Sequence, residues 1–193
     1  MKEIIIATKN AGKVKEFEEF FAPYKITVKS LLDFENLPDV EETGTTFEEN
    51  AALKAEQIAV HVQAPVLADD SGLMIDALDG RPGIYSARYA GEEKNDQANI
   101  DKVLDELQDV PEEKRTARFI CVLAIAEPGK ETIFRTGYCE GKIASEQKGT
   151  NGFGYDPIFI PDGYDETLGQ LAPEVKNQIS HRKNALDQLK ELL

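Results

Sequence analysis

Four clusters of residues have types and spacings that can do chemistry. The first is Thr8-Lys9-Asn10-Ala11-Gly12-Lys13, where a run of isoleucines gives way to helical spacing. Amide N–H groups in the first turn of a helix have no carbonyl partner within it, so such a corner is a ready anion site. Gly12 permits close approach, Thr8 and Asn10 add neutral donors, and Lys9 and Lys13 add positive charge. The same corner reads equally as an ordinary N-cap with solvated lysines. The G-x-x-x-x-G-K-[ST] spacing of a Walker A loop is absent.

The second cluster is two acidic doublets, Glu41-Glu42 and Asp69-Asp70. Mg²⁺ takes oxygen ligands, typically one or two carboxylates completed by water and substrate phosphates. Asp69-Asp70-Ser71-Gly72 follows directly on an apolar run, which suits either a metal site or a solvated turn. Glu41-Glu42 taken alone is also what a charged loop looks like. The third cluster is Gly152-Phe153-Gly154-Tyr155-Asp156-Pro157. Two glycines around an aromatic expose its ring, which can then stack on a nucleobase; a tight loop whose rings plug a core has the same pattern. The fourth is Ser180-His181-Arg182, preceded by Lys176, a set of donors at a helix start that Ser180 suits as a cap. The other histidine, His61, falls late in a predicted helix, and no Ser-His-Asp or Cys-His arrangement is evident.

The elements that must position these clusters follow from periodicity. Lys2 to Ala7 reads as a first strand, and Val14, Phe17, Phe20 and Phe21 then recur at helical spacing. Ile26 and Val28 alternate as a second strand, and Ser30 to Gly44 reads as a loop. Thr46 and Glu49 match the S/T-x-x-E capping box of a helix whose buried stripe is Phe47, Ala51, Ala55, Ile58 and Val62. Pro65 to Ala68 predicts a third strand, interrupted by Asp69-Asp70-Ser71-Gly72 and resumed over Leu73 to Leu78. After a turn at Pro82-Gly83, Ile100, Val103, Leu104 and Leu107 define a helix ending near Pro111. Ala117 to Ala126 and Glu131 to Ala144 form a hairpin around Pro128-Gly129, and a last helix carries Leu186, Leu189 and Leu192. With no repeat, low-complexity tract or linker, the chain reads as one folding unit of mixed α/β type.

Composition narrows the functions. The chain has 193 residues, enough for one medium domain with a sizeable core. Thirty-six acidic against 22 basic residues give a net charge of −14, which argues against a nucleic-acid-binding surface. A small phosphorylated ligand stays possible, because a metal ion and a few lysines can reverse the potential locally. No run reaches the roughly 18 to 20 apolar residues of a membrane span, and MKEIIIATKN is no signal peptide. Cys121 and Cys139 therefore read as reduced, buried strand residues of a cytosolic protein.

Taken in order, ATKNAGK at 7–13, EETGTTFEENA at 41–51, ADDSGL at 68–73, PGIYSARYAG at 82–91, GFGYDPIF at 152–159 and SHR at 180–182 resemble the inosine triphosphate pyrophosphatase family, the dITP/XTP diphosphatases. The resemblance spans nearly the whole chain. It implies one α/β domain over 1–193, two-lobed around a long mixed β-sheet with flanking helices, and an active-site cleft between the lobes. It also implies a cytoplasmic homodimer that hydrolyses ITP, dITP and XTP to the monophosphate and pyrophosphate with Mg²⁺. By the same resemblance Thr8, Lys9, Asn10, Ala11, Gly12 and Lys13 hold the triphosphate, and Glu41 and Asp70 hold the metal. Asp70 is also the proton acceptor, and Ser71 touches substrate. Phe153, Gly154, Tyr155 and Asp156 wall the base and sugar pocket, while Lys176, His181 and Arg182 contact the base. Asp69 and Glu42 stand as supporting groups. The other functions left open are a pyrophosphatase for other modified nucleotides and a non-catalytic nucleotide sensor.

Overall fold

A computed structural model describes residues 3–192, without the side chain of Leu192; Lys2, expected in the first strand, lies outside the described residues. Eleven regular elements alternate along the chain: β1 (Glu3–Ile6), α1 (Ala11–Phe21), β2 (Thr27–Ser30), α2 (Phe47–Val62), β3 (Val66–Ile75), α3 (Asp96–Glu106), β4 (Thr116–Ala126), β5 (Ile133–Ile143), β6 (Phe159–Pro161), α4 (Pro173–Ile179) and α5 (His181–Asp187). The six strands form one mixed sheet in the order β2-β1-β3-β4-β5-β6. β1 runs parallel to β2, with Ile4 opposite Val28, and parallel to β3, with Ile5 opposite Val66. β6 lies antiparallel on β5.

The chain divides into two compact units. One gathers the chain up to Asp70, Cys121–Gly137 and the residues from Arg182 onward; the other holds Ser71–Ile120 and Tyr138–His181. In the first, Phe17 and Phe21 of α1 pack with Ile4 and Ile6 of β1, Leu67 of β3 and Ala185, Leu186 and Leu189. In the second, Ile100 and Val103 of α3 pack with Leu73 and Ile75 of β3 and with Phe119, Cys139, Ile143 and Phe159. These are the stripes that helical spacing predicts. Both cysteines are buried. No helix among the described residues is long and apolar enough to cross a membrane.

One expectation fails at the centre of the sheet. Asp69-Asp70-Ser71-Gly72 does not interrupt a strand, because β3 runs unbroken through it. Two acidic residues are tolerated in a buried strand only when cations meet them, and here Lys13, Lys54 and Arg182 do so. A continuous strand also fixes direction. Successive side chains of a strand leave opposite faces of the sheet. Asp69 therefore meets α1 and Arg182, while Asp70 meets α2.

Smaller differences are local. The 30–44 loop opens with a 3₁₀ turn at Leu31–Asp33, where Ser30 and Asp33 form a capping box. At α2, the Thr46 hydroxyl accepts from Glu49 N at 3.1 Å, and the Glu49 carboxylate accepts most closely from Thr45 N, at 2.6 Å. The hairpin turns at Gly129 in a left-handed conformation (φ 79°), which favours glycine. The last helix, α5, starts at His181 behind Ser180 as expected, but it is preceded by the unexpected α4 and ends at Asp187, so that Leu189 lies beyond it and a 3₁₀ turn follows at Lys190–Leu192.

Candidate active site

The Thr8–Lys13 corner is built as its sequence suggests. β1 feeds α1 directly, and Ala7 N donates to Leu67 O at 2.8 Å, which anchors the corner to β3. Asn10 is the N-cap: its Oδ1 accepts from Lys13 N at 3.1 Å, and Asn10 N donates to Thr8 Oγ1 at 3.1 Å. Ala11 and Gly12 thereby become the first residues of α1, with their N–H groups at its positive end. The two lysines part company. Lys9 is exposed and pairs with exposed Asp39, whereas Lys13 reaches inward to Asp69 Oδ2 at 2.9 Å.

Asp69 is the best-compensated charge in this unit. Its carboxylate receives Lys13 and, at 3.1 Å, the buried guanidinium of Arg182, which also pairs with Glu16. Burial alone would raise the Asp69 carboxyl, but Lys13, Arg182 and Lys54 hold it well below the usual carboxylate range. Arg182 lies only 2% exposed; burial disfavours its charge, and Glu16 and Asp69 overcome this, so its pKa rises. Its described contacts are thus with carboxylates of the first unit.

Asp70, next along the same strand, has the opposite fate. Its side chain is 7% exposed and shares Lys54 with Glu42, at 3.5 Å and 3.2 Å respectively. Burial pushes the Asp70 carboxyl up to about 6; Glu42 and Asp69 add to the rise, and Lys54 and Lys13 oppose it. Burial also works against the Lys54 charge, yet Asp70, Asp69 and Glu42 keep its pKa raised, so it stays protonated. One ammonium serving several carboxylates cannot satisfy them all. Asp70 Oδ2 is left buried with no hydrogen-bond partner.

That orphan oxygen tests the implied Mg²⁺. A buried, unmatched carboxylate oxygen beside a second carboxylate is a donor set of the hard-oxygen kind that Mg²⁺ takes. Among the described residues no group of three or more His, Cys, Asp or Glu could hold an ion alone. Two carboxylates suit a cation completed by water and phosphate, so the residues fit it. Of the acidic doublet, Glu42 is half-buried on Lys54, while Glu41 is exposed.

The remaining candidates lie in the second unit. Asp156, 3% exposed, accepts from Phe153 N at 3.0 Å and from Lys176 Nζ at 2.7 Å, both on Oδ2. Lys176 Nζ sits 4.5 Å from the Phe153 ring centroid, a cation–π contact. Gly152, at φ +72°, has no room for a side chain, since a Cβ would lie 1.9 Å from Asp156 Oδ2. Tyr155 is buried and its hydroxyl donates to Ser86 O at 2.6 Å. His181 stacks on Phe119 with centroids 4.9 Å apart, and Ser71 is half-buried. Phe153, Asp156 and Lys176 are thus brought together, with Gly154 and Tyr155 completing the same turn.

Sequence reasoning passed over Lys54, Glu16 and Asp96. Lys54 had a signal: it falls three residues after Ala51 and four before Ile58, on the apolar stripe of α2, where a lone lysine needs buried anions. Arg182 has the same spacing to Ala185, Leu186 and Leu189. Glu16, between Lys13 and Phe17 on α1, is their counterpart.

Fold and site together define an α/β protein that buries carboxylates against lysines beside a strand-to-helix corner. Comparison with known proteins gives the family. The model of the Ham1 family matches residues 4–192, and the chain belongs to that family. A protein of Oceanobacillus iheyensis named dITP/XTP pyrophosphatase is 71% identical over 194 residues, covering 100% of this chain and 98% of that protein. One of the same name from Halalkalibacterium halodurans is 62% identical over 193 residues, with full coverage of both. The solved structure of the Staphylococcus aureus Ham1 protein superposes with a TM-score of 0.87 at 48% identity, covering 99% of this chain and 97% of that one.

Proposed function

We propose that the chain, as one domain over 1–193, hydrolyses XTP, dITP and ITP to the nucleoside monophosphate and pyrophosphate with Mg²⁺, clearing them from the nucleotide pool. The observation that carries this reading is the asymmetric pair on β3, with Asp69 held low by Lys13 and Arg182 and Asp70 raised to about 6 beside Lys54. The names of the relatives supply the substrates.

Each group then has a task. The N–H groups of Ala11 and Gly12 and the hydroxyl of Thr8 receive phosphate oxygens, and Lys9 and Lys13 add the charge that a chain of net −14 must supply locally. Asp69 orients the Lys13 ammonium toward that task. Asp70, ionised above its pKa of about 6, takes a proton from the attacking water. The water oxygen bonds to the α phosphorus, the bond from that phosphorus to the bridging oxygen breaks, and pyrophosphate leaves. Asp70 and Glu41 would hold Mg²⁺, with Glu42 supporting them, and the ion would supply charge to stabilise the departing pyrophosphate. Ser71 assists beside Asp70. Phe153, over the Lys176 ammonium, stacks on the base, and Gly154, Tyr155 and Asp156 shape its wall. Lys176 and His181 are the donors offered to a 6-keto group, which adenine lacks, while Arg182, expected beside them, is committed to Glu16 and Asp69. A cytoplasmic homodimer belongs to the same reading.

A panel of XTP, dITP, ITP, dATP and dGTP, with pyrophosphate and orthophosphate measured separately, tests it. Pyrophosphate from the first three with Mg²⁺, and little turnover of dATP, is the expected result. Orthophosphate as the first product, or equal use of dATP, overturns the reading.

A further inference from the structure

The turn that carries Phe153 has no ladder to hold it. Between Ile143, where β5 ends, and the 3₁₀ turn beginning at Asp156, the chain forms neither helix nor strand. Within the second unit it is pinned by isolated backbone bonds, from Lys148 N to Pro157 O at 2.9 Å and from Asn151 N to Gly169 O at 2.8 Å, and around Phe153 by side chains as well. Asp156 Oδ2 accepts from Phe153 N at 3.0 Å, and Asp96 Oδ2 accepts from the next amide, Gly154 N, also at 3.0 Å. Two carboxylates from different parts of the chain thus hold the two amides on either side of the Phe153 Cα. Gln97 adds a reciprocal amide pair with Gln147 in the same segment, at 2.8 Å and 3.2 Å.

Asp96 is itself well founded. It is the first residue of α3, whose N-cap Asn95 accepts from Ala98 N at 2.9 Å. One turn on, buried Asn99 accepts from Ala90 N and donates to Ala87 O, and Ile100 and Val103 enter the core. The acceptor offered to Gly154 therefore stands on a rigid helix end.

We propose that Asp96 is a positioning residue for base recognition, its carboxylate fixing the Phe153–Gly154 peptide and so the direction of the Phe153 ring over Lys176. This rests on the reading above that Phe153 meets the base. Asp96 touches no substrate in this scheme; it acts through Phe153. Fixing the peptide beforehand removes an ordering cost from each binding event.

Steady-state kinetics of the full-length enzyme with XTP and with ribose 5-triphosphate, which has no base, separate the possibilities. Asp96→Ala is expected to raise the KM for XTP roughly 5- to 10-fold, the size of one lost hydrogen bond, with kcat little changed. Use of ribose 5-triphosphate should not change. Asp96→Asn keeps an acceptor but loses the charge at the helix end, so it should restore KM if the acceptor matters. In a Phe153→Ala background, Asp96→Ala should add nothing further. An unchanged KM in Asp96→Ala while Phe153→Ala raises it overturns the inference and leaves the base-site reading standing. Equal defects in the Asn and Ala variants, or equal loss on both substrates, overturn it too. If Phe153→Ala itself leaves the KM for XTP unchanged, the base-site reading fails and takes the inference with it.

Discussion

Asp70→Asn should disable the enzyme and stabilise it. In the fold the carboxyl titrates at about 6 against a reference of 3.8, chiefly because burial penalises its charge. A shift of about two units corresponds to roughly 3 kcal/mol of unfavourable ionisation in the folded state. A carboxyl with a raised pKa holds its proton more tightly when folded, so the folded state binds more protons than the unfolded one between about pH 4 and 6. Stability therefore falls as pH rises through that window, and the whole cost stands above it. Asparagine keeps the shape and never ionises. The variant should gain up to about 3 kcal/mol at pH 7.5, about 6–12 °C in melting temperature for a chain of this size. The gain should vanish as pH falls toward 4. Turnover should drop on the order of 100-fold or more, as expected when a group acting on the transition state is removed.

The assay is thermal unfolding of both proteins in EDTA from pH 4 to 8, followed by addition of Mg²⁺. Mg²⁺ should raise the melting temperature of wild type and leave the variant nearly unmoved. A variant that melts at or below wild type at pH 7.5, or a difference that does not shrink toward pH 4, refutes the electrostatic account of Asp70. Wild-type turnover in the variant refutes its role.

Three further outcomes follow. In the wild type, kcat/KM should fall on the acid side with a midpoint at or below about 6, as the proposed role of ionised Asp70 as proton acceptor requires; an acid limb centred above pH 7 contradicts this. Arg182→Ala strands Glu16 and Asp69 without their buried cation, so a stability loss of about 3–5 kcal/mol in denaturant titration is expected, with dITP and dATP affected alike. Retained stability with a collapsed dITP-to-dATP ratio would instead show that the guanidinium reads the base. Gly152→Ala forces a Cβ onto Asp156 Oδ2 at a positive φ; it should raise the KM for XTP and leave the pH limb in place, and a wild-type KM would show that the turn adapts.

What the sequence disclosed depended on how local the governing forces are. The stripe of Phe47, Ala51, Ala55 and Ile58 and the cap at Thr46 are decided within a few residues, and both stand in the structure. The Pro128-Gly129 hairpin is as local, and its strands are sheet neighbours. The path of β3 through Asp69-Asp70-Ser71-Gly72 is not local. Four polar or small residues resemble a turn until Lys13, Lys54 and Arg182, distant in sequence, supply the counter-charges that let them stay in a strand. The short β6 was missed for the same reason: three residues carry no period, and β5 defines them. At the site, Asp70, Lys13 and the Phe153 turn could be picked out by residue type. Lys54 could have been noticed from its place on the apolar stripe of α2, though its partners could not; the Asp96 contact is a tertiary pairing with nothing in the adjacent sequence to mark it.

The contrast between Asp69 and Asp70 explains why two aspartates sit side by side. Alternation along β3 sends them to opposite faces, so one strand position can be over-supplied with cations while its neighbour goes short. Asp69, against Lys13 and Arg182, holds the cation of the anion corner and stays ionised at any working pH. Asp70, left with part of one lysine, keeps a proton affinity near the pH at which a base is useful and an oxygen with nothing to accept. Had both been matched by cations, neither carboxyl would be pushed up toward neutral pH. Had neither, two buried charges on one strand would cost more than the surrounding core returns.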